Sequence, residues 1–241
     1  MINKSVSVVI RTKNESKRLK SLLEKIKKQK TISNIEIVVV DTESTDNTPE
    51  VIEQYGAKRV TLKQSEFTYP ISMNAGVSET SGDIVILTVA HALPISHEWI
   101  ASALKHFEVS DVAGVFGPCL PDKAANFFEK THYWAVYLVQ RMIGVKEFRR
   151  VRMGIFGATN IAIRKDLWNK HNFDERYEMG GEDGEWARWA FRHGYKIIRE
   201  PGFVVRHSHN LGPYRYLKQL ILWSKMKNPM PFDQDKLIKR Y

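Results

Sequence analysis

Short β-branched runs alternate with helical periods through the first half of the chain, and this alternation constrains the fold more than any other feature. Val6-Ser7-Val8-Val9-Ile10, Ile35 to Val40 and Ile84 to Val89 are apolar enough to be strands buried on both faces. Lys58 to Leu62 and residues 112–117 read as two more strands. Between the first two, Leu19, Leu22, Leu23 and Ile26 recur at i, i+3, i+4 and i+7, the spacing of one helix face. Thr48-Pro49 reads as an N-cap followed by Pro at the first helical position, with Gly56 as the stop. Residues 71–80 and 97–107 supply the remaining helices. A strand–helix alternation of this period predicts an open α/β sheet, mostly parallel and flanked by helices. In such sheets ligands bind at the carboxyl ends of the strands, near a reversal in strand order.

The second half is less regular. Residues 124–152 read as helix carrying Tyr133, Trp134 and Tyr137, and Gly157 to Ile163 as a strand. Residues 182–193 read as a helix stopped by Gly194, followed by short strands at 195–198 and 203–207. Leu217, Leu220, Ile221 and Ser224 sit at helical spacing near the end. No repeat, low-complexity segment or linker interrupts the chain. The expected organisation is one domain over residues 1–210 and a helical appendage over 211–241.

The 241 residues carry 37 Lys+Arg against 27 Asp+Glu, a formal charge of +10. The excess concentrates at residues 11–30 (nine basic, two acidic), 141–152 (five and one) and 211–241 (seven and two). Such patches suit an anionic partner or form a solvated helix face. Acidic loops at the strand ends and the lack of any RNA- or DNA-binding motif argue against nucleic acid. A single cysteine, Cys119, excludes a disulfide framework and multi-cysteine metal clusters. No apolar run reaches the roughly 18–20 residues of a membrane-spanning helix. Met1-Ile2-Asn3-Lys4 leads directly into the first strand without a secretory signal. The expected location is the cytoplasm.

Chemistry is to be sought just after the strands. Strand 1 ends in Arg11-Thr12-Lys13-Asn14-Glu15, and strand 2 in Asp41-Thr42-Glu43-Ser44-Thr45-Asp46-Asn47-Thr48. An acidic residue followed by small polar ones can accept from a nucleobase N–H or a ribose hydroxyl, or can simply cap a turn. Neither Gly-x-Gly-x-x-Gly nor a Walker loop is present. His91, in Val89-Ala90-His91-Ala92-Leu93-Pro94, is placed to ligate a metal, to contact a phosphate, or to serve as a structural histidine. Gly180-Gly181-Glu182-Asp183-Gly184-Glu185-Trp186 combines close backbone approach with two carboxylates opening a helix. Those carboxylates either stabilise the helix dipole or hold a general base over a cleft. His207-Ser208-His209 follows a strand, and at most one of its two imidazoles faces a cleft there.

Taken in order, VSVVIRTKNES, EIVVVDTESTDNT, MNAGVSETSGDIVILTVAHALP, GATNIAIRKDLW, FDERYEMGGEDGEWARWAFRHGYKI and VVRHSH resemble glycosyltransferase family 2, with the bacterial rhamnosyltransferase-like branch nearest. The resemblance spans residues 5–210. It implies the GT-A fold, with a Rossmann-like nucleotide-binding sheet. It also implies inverting sugar transfer from a UDP- or TDP-sugar to a hydroxyl of a glycan or lipid-linked acceptor in cell-surface polysaccharide synthesis. By position, Thr12, Asn14, Glu15, Asp41 and Ser44 would contact the nucleotide, Asn74 and Gly76 the donor phosphates and sugar, and His91 the donor. Asp183 would be the catalytic base with Glu182 beside it, and Trp186 would wall the acceptor site. His91 and His207 would assist a divalent ion. The family's Asp-x-Asp metal motif is replaced here by Val89-Ala90-His91, which argues against a tightly held Mn2+ or Mg2+. Arg11, Arg149, Arg150 and Arg152 are then candidates to stabilise the leaving diphosphate. The same replacement leaves open a non-catalytic nucleotide-sugar-binding protein with an eroded metal motif. The aromatic, basic residues 211–241 suit a peripheral position on an anionic membrane surface, or an apolar face packed on the domain.

Overall fold

The computed structural model describes residues 4–30, 34–123, 125–150, 156–178, 180–208, 212–215, 217–218 and 221. Strands β1 (Val6–Thr12), β2 (Ile35–Asp41), β3 (Lys58–Thr61), β4 (Ile84–Val89), β6 (Val112–Phe116), β8 (Lys146–Phe148), β9 (Asn160–Arg164) and β10 (Lys196–Arg199) form one sheet. Its order is β3-β2-β1-β4-β9-β6-β10-β8. β9 and β8 run antiparallel to their neighbours and the other pairings are parallel. A small second sheet joins β5 (Leu93–Pro94), β11 (Val205–Arg206) and β7 (Cys119–Leu120).

Helices cover both faces, as a parallel sheet requires. The alternation along β1 shows why. Val8 and Ile10 enter the core layer that holds Leu19, Leu22, Leu23 and Ile26 of α1 (Ser16–Lys27). Val9 enters the opposite layer, with Met73 and Val77 of α3 (Tyr69–Ser78) and Trp186, Ala187 and Ala190 of α7 (Glu182–Arg192). α2 (Thr48–Gln54) and α4 (Trp99–Leu104) complete the first layer, and the short α6 (Lys165–Trp168) lies on the second. α3 can lie close to the sheet because residue 76 is glycine. A Cβ there would stand 2.3 Å from Val9 Cγ1 and 2.8 Å from Val40 Cγ2.

The expected alternation matches the first half closely. Residues 124–152 depart from expectation. Helix α5 (Phe127–Ile143) ends at Gly144, whose φ of 73° is open to glycine and strained for other residues. The chain then turns into the edge strand β8 rather than continuing as helix. The strand expected from Gly157 begins at Asn160 and runs antiparallel. The described residues of 212–221 are exposed and, apart from Gly212, have helical backbone; the rest of the expected appendage lies outside the described residues.

Candidate active site

Sheet order reverses at β1, which has β2 on one side and β4 on the other. The crevice between the carboxyl ends of β1 and β4 is the switch point of this fold. Arg11 and Thr12 end β1, and His91 follows β4.

Two loops are tied together beside it. The Asn14 amide donates to Ser44 Oγ (2.8 Å), and the Thr45 amide donates to Asn14 Oδ1 (2.7 Å). The Glu15 amide reaches Thr48 Oγ1 (3.2 Å), and the Ser16 amide reaches Asp46 Oδ2 (3.1 Å). Asn14 and Glu43 hold positive φ, 52° and 48°. For non-glycine residues such conformations cost on the order of 1–3 kcal/mol, and they cluster at functional sites. These bonds fix the first two strand-end loops as one unit. Thr12 is buried, and its Oγ1 has no hydrogen-bond partner.

Asp41 is fully buried at the end of β2. One oxygen accepts from Arg59 Nε (3.0 Å) and Nη2 (2.5 Å), and the other from the Ser44 amide (3.2 Å). Arg59, on β3, is absent from the sequence expectations. The signal for it was indirect: a buried carboxylate at a strand end needs a cation, and β3 offers Lys58 and Arg59.

At the β4 end, His91 Nδ1 lies 2.9 and 3.1 Å from the two Glu15 oxygens. Its ring stacks on that of His207, centroids 4.9 Å apart and planes 20° apart. Position, not sequence proximity, makes this cluster: residues 15, 91 and 207 come from three separate loops. Among the described residues no three His, Cys, Asp or Glu side chains are grouped so as to hold a metal ion. The donor set therefore does not fit a cation caged by protein alone.

The carboxylate pair opens α7. Gly180 and Gly181 precede it with φ of 116° and 107°, values only glycine adopts without strain. Asp183 Oδ1 accepts from the Gly184 amide (2.6 Å) and Oδ2 from the Ala158 amide (3.2 Å). Ala158 precedes β9, and Asn160 of β9 faces Thr88 of β4, so Asp183 stands at the carboxyl edge of the sheet. Burial raises both carboxyl pKa values; for Glu182 the neighbouring Asp183 charge adds to the rise. Burial likewise acts against the charge on Arg11, while Glu182, Tyr69 and Asp183 favour it. The Arg11 guanidinium lies 5.2 Å from the Tyr69 ring centroid. One cation thus faces two carboxylates, so the second ionises with difficulty. Both oxygens of Asp183 carry an N–H, whereas Glu182 Oε2 is buried without a partner. These contacts favour the charge on Asp183 and the proton on Glu182.

Four residues expected at the site have structural partners of their own. Trp186 is fully buried, its Nε1 bonded to the His171 carbonyl (2.8 Å) and its ring stacked on Phe156 (5.5 Å). No face of it is left to wall an acceptor. Asn74 spends all four of its hydrogen-bonding capacities internally, on Phe173 twice, Glu175 and Trp168. Gly76 stands at the contact of α3 with the sheet. Arg149 bonds to Asp111 and Gly194, which precede β6 and β10, so it lies at the opposite edge of the sheet. Arg11 lies within electrostatic reach of the carboxylate pair. Arg150 is exposed, and Arg152 and His209 lie outside the described residues.

The profile of Glycosyl transferase family 2 matches residues 7–171. The chain belongs to glycosyltransferase family 2. It is thus a transferase enzyme with the GT-A fold. An O-antigen chain rhamnosyltransferase of Salmonella typhimurium is 23% identical over 214 residues, 86% of this chain and 68% of that enzyme. A Methanococcus voltae dolichyl N-acetyl-alpha-D-glucosaminyl phosphate diacetamido-dideoxy-glucuronosyltransferase is 24% identical over 242 residues, 93% of this chain and 73% of that enzyme. Among solved structures, the mannosyltransferase of Pyrobaculum calidifontis, in complex with GDP-Man and Mn2+, superposes with a TM-score of 0.67 at 20% identity. That superposition covers 96% of this chain and 67% of the other. Its likeness establishes the fold.

Proposed function

We propose that the chain transfers a sugar, with inversion, from a UDP- or TDP-sugar to a hydroxyl of a glycan or lipid-linked acceptor of a cell-surface polysaccharide. The observation that carries this reading is the Asp183–Glu182–Arg11 arrangement at the carboxyl edge of a family 2 sheet. The names of the relatives, an O-antigen rhamnosyltransferase and a dolichyl-phosphate glycosyltransferase, point to the same class of acceptor.

Thr12, Asn14, Glu15, Asp41 and Ser44 form the nucleotide side. The Asp41 carboxylate, held by Arg59 and the Ser44 amide, is the acceptor this reading assigns to the imide N–H of uracil or thymine. Asp183 takes the proton of the acceptor hydroxyl as that oxygen attacks the anomeric carbon, and the nucleoside diphosphate departs from the opposite face. A carboxylate whose pKa is raised toward neutrality is a stronger base that is still ionised at working pH. Glu182, protonated, leaves the negative charge on Asp183. The leaving diphosphate departs beside the reversal crevice, where the His91 and His207 rings stack. A divalent ion held mainly by the donor's own phosphates would be assisted by His91 and His207.

The test is thermal stabilisation by UDP, TDP, GDP and CMP, each with Mn2+ or with EDTA. A ligand at a hundred times its Kd adds about 2.7 kcal/mol. A shift with UDP or TDP is expected. No shift with any nucleotide, in a folded sample, would remove the donor site from this reading.

A further inference from the structure

Nine of the fifteen large hydrophobic side chains exposed among the described residues fall between Phe127 and Val145. Met142 is 86% exposed and Phe127 82%. Helix α5 buries only Glu129 and Tyr137, the latter against Leu120 and Val204. At 100° per residue, its exposed arc runs from Phe127 through Leu138, Met142 and Val139 to Val136, about half the circumference. No Asp, Glu, Lys or Arg projects from that arc; His132 stands within it, half-buried. An uncharged helical face of this extent does not suit water.

Charge marks the borders. Lys130, Trp134 and Arg141 follow one another at i, i+4 and i+11 along one flank, and Lys146 lies just past the end of the helix. Glu129 is buried, and Glu147 is ion-paired with Lys196 at 2.9 Å. On the helix and just past its end, the charge left at the surface is positive. Both ends of α5 lie at the carboxyl edge of the sheet: it follows β6 and β7, and it precedes Lys146, which faces Arg199 at the end of β10. β11, parallel to β7, leads directly into His207. The apolar face therefore flanks the candidate active site.

We propose that this face of α5 docks on an anionic lipid bilayer. The helix would lie in the interface, apolar arc toward the acyl chains and Lys130, Arg141 and Lys146 among the headgroups. No helix among the described residues is long and apolar enough to cross a membrane, so this mode is interfacial. A symmetric pairing of two copies through the same face would set each copy's cationic border near its twin's. Anionic lipid instead meets both the apolar arc and the charge. Docking there would hold the site against the surface where a lipid-linked acceptor is presented; that consequence rests on the glycosyl-transfer reading, whereas the docking does not.

The test is co-sedimentation of the full chain with phosphatidylcholine vesicles and with vesicles of phosphatidylcholine and phosphatidylglycerol. The chain should pellet with the anionic vesicles, less so at high salt, and the Leu138→Glu/Met142→Glu variant should not. Both positions are exposed, and the nucleotide-induced thermal shift of the same variant reports an intact fold and donor site independently. A chain lacking 212–241 should still pellet. Pelleting of the double variant at the wild-type level would overturn the proposal. So would wild-type protein that ignores anionic vesicles but sediments as a dimer that the double variant splits. Pelleting lost only with the tail would move the anchor to residues 212–241 and overturn it too.

Discussion

At Arg11 one guanidinium serves two carboxylates, and the chemistry of the site depends on that imbalance. Arg11 favours the ionised forms of Glu182 and Asp183 against the burial that raises their pKa values. Arg11→Met would remove the favourable charge and raise both further. A base works when deprotonated, so the acid limb of the pH profile of kcat/KM should move to higher pH in this variant. A limb that stays in place, or moves down, would mean that Arg11 does not act on the pair. Asp183 and Glu182 were legible in the sequence because two glycines and two acids opening a helix form a local pattern. Arg11 was legible only as a basic residue at a strand end. Its partnership with a segment more than 170 residues away follows from the sheet order, which no local pattern encodes. Asp41 with Arg59 repeats the lesson on neighbouring strands. Trp186 shows the reverse case: a residue inside a functional motif need not face the ligand, because the fifth residue of α7 points into the core.

At the scale of elements, α3 is held by a glycine and an asparagine that each look functional in sequence. Gly76→Ala would drive a methyl into Val9 and Val40, and overpacking of this kind costs roughly 1–3 kcal/mol. Asn74→Ala would leave the Trp168 indole N–H and the Phe173 amide without their acceptor, at roughly 1–3 kcal/mol per orphaned group. Both variants should lower Tm in calorimetry while folded protein keeps its nucleotide-induced shift. Loss of that shift at unchanged Tm would return Asn74 to the donor site. The strand–helix alternation of the first half was readable because each element carries its own hydrophobic period. The second half was less so. β8 has three residues, and the end of α5 is set by the conformation of Gly144, so neither leaves a period to read.

Across the whole molecule, buried carboxylates shift stability with pH in two directions. Burial acts to raise Glu200, but His106 (2.6 Å) and Lys105 (2.9 Å) hold it down to about 2. Its contribution is present above the ordinary carboxylate range and lost as pH falls toward that value. Glu182 and Asp183 are raised, so their contribution is complete below the ordinary range and lost as pH rises through their folded-state values. Chemical denaturation should therefore show Glu182→Gln gaining stability relative to wild type as pH rises from about 5 to 8. No relative change over that range would mean that Glu182 is ionised in the fold. The family assignment needed the ordered set of motifs across most of the chain, whereas the apolar face of α5 became visible only once exposure was known for each residue of a helix that sequence alone extended into β8.

The central claim is that Asp183 is the base of a sugar transfer. It is tested most directly by nucleoside diphosphate release from a panel of UDP- and TDP-sugars in the presence of acceptor glycolipid extract, wild type against Asp183→Asn. A positioned base contributes about 10²–10⁴-fold, so the variant should lose turnover by that order. It should do so while keeping the thermal shift with the bare nucleotide. Release by Asp183→Asn at the wild-type rate would contradict the account.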